Sequence, residues 1–160
     1  MKKVLLLLVS LAFLTAALSA ETKTVRIDNN RSNDAFKAGV VLGYPTGLTA
    51  GWRLGEVMEL NFVAATHYYD ITIGVAPMFT LVSFDIQGQK FPLSIGPAAY
   101  LNIGWYGGLA LDVLFNARVE YSFEEIPLNL FLEAGAGIAI NFGGGIGPQG
   151  SGALGVRYIF

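Results

Sequence analysis

Cysteine is absent from the 160 residues. The chain therefore has no disulfide framework and no thiolate cluster for zinc or iron. Histidine occurs once, at His67. One imidazole and no thiol make no transition-metal site. A Ser-His-acid site needs a hydroxyl beside the base, and His67 is followed by Tyr68, Tyr69 and Asp70 with no serine adjacent. Charge is scarce at 14% of residues with a net of −2, which excludes a basic surface for nucleic acid. Beyond the first twenty residues no apolar run approaches the roughly 20 residues of a membrane-spanning helix. What is present is 53% hydrophobic residues, 12% aromatic residues and 20 glycines. Such a chain, if it meets lipid without a spanning helix, needs a closed sheet, because lipid tolerates only helices and closed sheets.

The N-terminus has the layout of a secretory signal peptide. Lys2 and Lys3 open it, Val4 to Leu18 carry no charge, and the small residues Ala16, Ala17, Ser19 and Ala20 precede Glu21. Cleavage is expected after Ser19 or Ala20. The alternative, a membrane anchor, needs a longer run. The expected divisions are a signal peptide at 1–20, a polar Asn-rich lead-in at 21–35 and one domain at 36–160.

From Phe36 onward the period is two, the signature of strands with one apolar face. Phe36, Ala38, Val40, Leu42 and Tyr44 alternate with Lys37, Gly39, Val41 and Gly43, and Pro45-Thr46-Gly47 reads as a turn. Further strands are expected at Leu48–Leu54, about Val57–Ala65, Tyr69 to about Phe84 with Pro77 marking a bulge or break, and Lys90–Gly104. Phe115 to Phe123, Leu128 to Ile140 and Ser151–Phe160 complete eight. Phe142 to Gly150 reads as a long glycine-rich loop. Its Gly143-Gly144-Gly145-Ile146-Gly147 is no phosphate loop, since no Lys-Ser/Thr and no helix follows. Two aromatic belts are expected, Tyr44, Tyr68, Tyr69, Trp105 and Tyr106 at one set of strand ends, and Phe84, Phe91, Tyr121, Phe123, Tyr158 and Phe160 at the other. The fold expected is all-β, an eight-stranded antiparallel up-and-down transmembrane β-barrel behind a cleaved signal peptide.

On the face opposite the aliphatic residues stand Lys37, Arg53, Glu59, Asp70, Arg118, Glu120, Glu133 and Arg157. An eight-stranded barrel is just wide enough for side chains to fill, so these charges are expected to pair inside it as a lumen cluster. The last strand places Leu154, Val156, Tyr158 and Phe160 on one face, an alternating ending with a terminal aromatic. In bacterial outer-membrane barrels such a strand is the signal read by the barrel-assembly machinery.

Gly43-Tyr44-Pro45-Thr46-Gly47-Leu48, Pro127-Leu128-Asn129-Leu130-Phe131-Leu132-Glu133 and Gly155-Val156-Arg157-Tyr158-Ile159-Phe160 together resemble an uncharacterised family of small outer-membrane β-barrel proteins, with the architecture of the OmpA transmembrane domain, OmpX and OmpW. The resemblance implies location and fold but no substrate. The chain lacks the adjacent His-Ser pair of outer-membrane lipid A deacylases and palmitoyl-transferring barrels. It is read as non-enzymatic, without cofactor or metal, and as a monomer whose partners are outer-membrane lipid and the assembly machinery. The leading expectation is a structural or surface-interaction barrel. The alternatives are a narrow passage for small hydrophobic or ionic solutes and a soluble, exported lipocalin-like binder with an apolar interior.

Overall fold

The computed structural model describes residues 36–67, 70–86, 88–104 and 108–160, with the His67 side chain left aside. The expected signal peptide and lead-in, and the belt residues Tyr68, Tyr69, Trp105 and Tyr106, lie outside the described residues. Eight strands follow one another: β1 Phe36–Tyr44, β2 Thr46–Leu54, β3 Met58–His67, β4 Asp70–Ile86, β5 Gln89–Gly104, β6 Gly108–Ser122, β7 Leu128–Asn141 and β8 Gly145–Ile159. Each pairs antiparallel with its neighbour, and β8 returns to β1 to close a barrel. The closing seam runs from Lys37 opposite Ile159 to Tyr44 opposite Gly152. Closure leaves the ladder without a free edge along the seam.

The period of two decides which side of the wall each residue takes. Phe36, Val40, Leu42, Leu48, Trp52, Phe62, Ile71, Ile73, Phe115, Leu132, Leu154 and Phe160 are all exposed on the outside. Lys37, Glu59, Arg118, Glu120, Glu133 and Arg157 are buried on the inside. A lipocalin-like interior would need the opposite arrangement. Phe36, the first described residue, and Phe160 lie at one end of the barrel, here the near end. There Phe160 packs against Phe36 at 5.7 Å and Tyr158 at 4.9 Å, and Tyr121 packs against Phe91 at 5.3 Å and Phe123 at 4.8 Å between ring centroids. Phe84 stands opposite Phe91 in the ladder. These are the aromatic contacts expected of that belt.

Three expectations need correction. The β1–β2 turn is Pro45 alone, and Thr46 and Gly47 already belong to β2. The Thr46 hydroxyl donates to the Gly43 carbonyl at 2.7 Å and accepts from the Gly43 amide at 2.9 Å. Gly43 itself sits at φ 130°, where a side chain is strained. Second, the segment Phe142 to Gly150 is not a long loop. β8 begins at Gly145 and pairs with β7 from Asn141 onward, leaving only Phe142, Gly143 and Gly144 to turn the chain. Glycine carries no side chain, so a paired strand built on it shows no period in the sequence. Third, Pro77 does not break β4. The register shift lies between Thr80 and Val82, with Leu81 the extra residue against β5. An inserted leucine among apolar neighbours leaves no mark in composition, whereas a proline does.

Candidate functional site

The barrel interior holds the residues able to carry chemistry, and it is built in layers. Nearest the termini is a layer of charges. β8 supplies Arg157, which is 0% exposed. Its Nη1 donates to Glu59 Oε1 and to Asn61 Oδ1, both at 2.8 Å. Its Nη2 donates to Glu120 Oε1 at 2.9 Å and Asn129 Oδ1 at 2.8 Å, and its Nε donates to Asn129 Oδ1 at 3.0 Å. All five guanidinium N–H groups are thus used. β1 supplies Lys37, whose Nζ donates to Glu59 Oε2 at 2.6 Å and Glu120 Oε2 at 2.9 Å. β6 supplies Arg118, which binds Glu133 of β7 through Nη2 at 2.6 Å and Nε at 2.8 Å. Its Nη1 donates to Asn61 Oδ1 at 2.6 Å and lies 3.5 Å from Glu59 and 3.6 Å from Glu120.

Three cations therefore meet three carboxylates, and the layer is electrically neutral. That balance matters because removing one partner of a buried pair costs about 3–5 kcal/mol. Phe131 fixes the two guanidinium groups further. Arg118 lies 4.5 Å and Arg157 4.8 Å from the Phe131 ring centroid, close enough for cation–π attraction. The ring fits because Gly155 beside it has no side chain. A Cβ there would run into the ring itself. Gly74 makes room for the Tyr100 ring in the same way.

Above this layer the interior turns apolar, with Ala76, Met78, Ala98, Tyr100 and Leu114 in one buried group and Val41, Phe131 and Ala153 in another, Val63 packing against both. On β6 the inward residues run Glu120, Arg118, Asn116, Leu114, Asp112 from near end to far end. Leu114 thus separates the charged layer from a second polar layer. There Tyr44 donates its hydroxyl to Asp112 Oδ2 at 2.8 Å, and Asn102 Nδ2 donates to the same oxygen at 2.9 Å. Thr72 Oγ1 steadies Asn102 by donating to its Oδ1 at 2.6 Å.

Six of the eight charges expected in the lumen come together: Lys37, Glu59, Arg118, Glu120, Glu133 and Arg157. Arg53 and Asp70 do not. Arg53 is at the near end of β2, and its Nη2 donates to the Glu56 carbonyl at 2.8 Å in the turn. Asp70 opens β4 at the far end, half-buried opposite His67. A period of two gives the face of a residue and not its depth, which is why both were grouped with the rest. Tyr44 also departs from expectation. It reaches across the far mouth to Asp112 instead of standing in an outer belt.

Several residues of the site were not among the expected lumen residues: Asp112, Asn61, Asn116, Asn129 and Tyr100. Asp112 sits three inward steps before Arg118 on β6, so carrying that alternation back past Phe115 would have found it. The asparagines lie on the inward face, and only the geometry shows that they complete the hydrogen bonding of the charges.

Among the described residues no group of three or more His, Cys, Asp or Glu could hold a metal ion. No protein-family model, no curated protein and no solved structure matches the chain.

Proposed function

We propose that the chain is a small integral outer-membrane β-barrel protein, exported behind a signal peptide, with a structural or surface-interaction role and not a catalytic one. The observation that carries this reading is the outer wall. The outward positions of the described strands include Ile71, Ile73, Val75, Phe79, Leu109, Val113, Leu132 and Ile138, all exposed, and no Asp, Glu, Lys or Arg stands on that face. Water would leave a band this apolar without a solvent it suits, and a continuous exposed apolar surface marks an interaction or membrane site. Even the shortest strands, β1 and β2, have 9 residues, within the roughly 9–11 that cross a bilayer at a tilt. The near-end aromatic contacts fit an interfacial girdle.

The filled interior favours a structural barrel over a solute passage. Arg157, Phe131 and Leu114 occupy the bore where a passage would run. The turns at β1–β2 and β7–β8 are short, so any surface role rests on compact hairpins and not on long loops. β8 is the strand that the assembly machinery would read, since Leu154, Val156 and Tyr158 point outward along it.

The test is fractionation of cells producing the protein, followed by gel migration with and without boiling. The expected result is recovery in the outer membrane as a band that shifts on heating. Recovery in the soluble periplasmic fraction would overturn the proposal.

A further inference from the structure

We propose that residues 22–28 of the chain's own lead-in pair as an added strand with the edge of β4 that extends beyond the near rim of the barrel. The inference goes beyond the membrane reading and does not depend on it, because it stands on the register of the sheet.

The β3–β4 ladder ends at the near rim, with Met58 opposite Phe79. One further bond follows, from the Thr80 amide to the Val57 carbonyl at 2.8 Å. β4 nevertheless runs on to Ile86, paired there with β5 alone among the described residues. Residues 81–86 make an edge about 20 Å long at strand spacing. The register decides which backbone groups that edge presents. Ile86 pairs with Gln89 across a two-residue connection, which makes theirs a hydrogen-bonded pair. Such pairs alternate with pairs that exchange no bonds, so Phe84–Phe91 and Val82–Leu93 are bonded and Asp85–Lys90 and Ser83–Pro92 are not. Pro92 agrees, since it has no N–H to give. Ser83 and Asp85 therefore turn their N–H and C=O groups away from β5, to the side that β3 has left. Leu81 and Ile86 are exposed on this stretch. An apolar edge with open ladder groups is a template for another strand, and proteins cover such edges.

Where the chain enters the barrel selects the occupant. β1 begins with Phe36 at the same rim, three strands from β4, or about 14 Å around the wall. The six residues 30–35 reach about 20 Å when extended, enough to bring 22–28 beside β4. A segment leading into β1 runs toward the rim while β4 runs away from it, so the pairing is antiparallel. Thr22-Lys23-Thr24-Val25-Arg26-Ile27-Asp28 holds four β-branched residues, the type that suits a strand. The turn-forming Asn29, Asn30 and Asn33 fall in the linking part. One register satisfies both faces. With Arg26 opposite Asp85, Val25 meets Ile86, Ile27 meets Phe84 and Asp28 meets Ser83. Val82, Phe84 and Ile86 alternate with Ser83 and Asp85, so apolar side chains meet on one face and Arg26 meets a carboxylate on the other. Asp85 Oδ1 already accepts from the Gly88 amide at 2.9 Å, and its second oxygen takes the guanidinium.

The test is oxidation of the full chain, folded in detergent micelles and carrying Arg26→Cys with Asp85→Cys. The chain has no cysteine of its own, so the introduced pair has no competitor. Opposed residues of a bonded antiparallel pair stand about 5.5 Å apart between Cα atoms, within disulfide range. The expected result is a disulfide inside the monomer band, located by peptide mass mapping. It should form about tenfold faster than in the chain carrying Lys23→Cys with Asp85→Cys, whose partners are out of register. A second measurement leaves the cysteines out. In the ¹⁵N-labelled chain the Ser83 and Asp85 amides should exchange slowly with deuterium. Arg26→Pro, which removes the N–H aimed at Asp85, should speed both about tenfold and leave Phe84, bonded to β5, unchanged. A disulfide found only between two chains, which would make a second copy the occupant, overturns the proposal. So do equal rates for the two cysteine pairs, or Ser83 and Asp85 exchange that Arg26→Pro does not alter.

Discussion

Arg157 and Asp112 are both sealed inside the same barrel, 0% and 2% exposed, and their surroundings differ in one respect that governs what each can do. Arg157 touches two carboxylates and two asparagines, and its neighbours bring the count to three positive and three negative charges. Asp112 touches a phenol and an amide, and no lysine or arginine among the described residues pairs with it. The first layer is complete and acts as a strut joining β1, β3, β6, β7 and β8 across the bore. The second joins β1, β4, β5 and β6 through neutral donors. A buried charge can thus be held in two ways in one barrel, by opposite charge or by neutral hydrogen-bond donors.

The comparison can be broken hardest at Arg157. Arg157→Met leaves Glu59 and Glu120 with one cation fewer, and urea unfolding in lipid should show a loss of about 3–5 kcal/mol. The same chemical change made in each layer sharpens it. Glu133→Gln unbalances the near layer and should cost about 3 kcal/mol by the same measurement. Asp112→Asn removes a charge that only neutral donors hold among the described residues, and the amide oxygen still accepts from Tyr44. Its stability should stay within about 1 kcal/mol of the unaltered chain. Gly155→Ala acts on the support of the near layer, pushing Phe131 off the two guanidinium groups. Overpacking of this kind should cost about 1–3 kcal/mol, while Gly147→Ala at the far end, which meets open space, should be silent.

Both the fold and the near layer were largely legible in the sequence. Phe36–Tyr44 alternates without interruption, and β1 has those bounds. Arg118, Glu120 and Glu133 sit on clean inward faces of β6 and β7, and the structure brings them together. Where glycine replaces side chains, as in Gly145 to Gly152, the period vanishes although the backbone pairing does not. The bulge at Leu81 was silent for a related reason, since an extra apolar residue in an apolar run changes no pattern. The far layer was missed because its members are scattered over Tyr44, Thr72, Asn102 and Asp112 on four strands. None is conspicuous alone, and only barrel closure brings Tyr44 of β1 to Asp112 of β6.

Both layers depend on the wall that divides them from the outside, and its orientation is the central claim. Leu132 is 59% exposed on the outer face, one residue from Glu133 on the inner face. Leu132→Arg, with stability measured by reversible unfolding from lipid bilayers, tests the claim most directly. On the proposed placement of this face in lipid, a loss of about 2–4 kcal/mol is expected, the cost of an arginine near the bilayer midplane. Unchanged insertion and stability in lipid would contradict it.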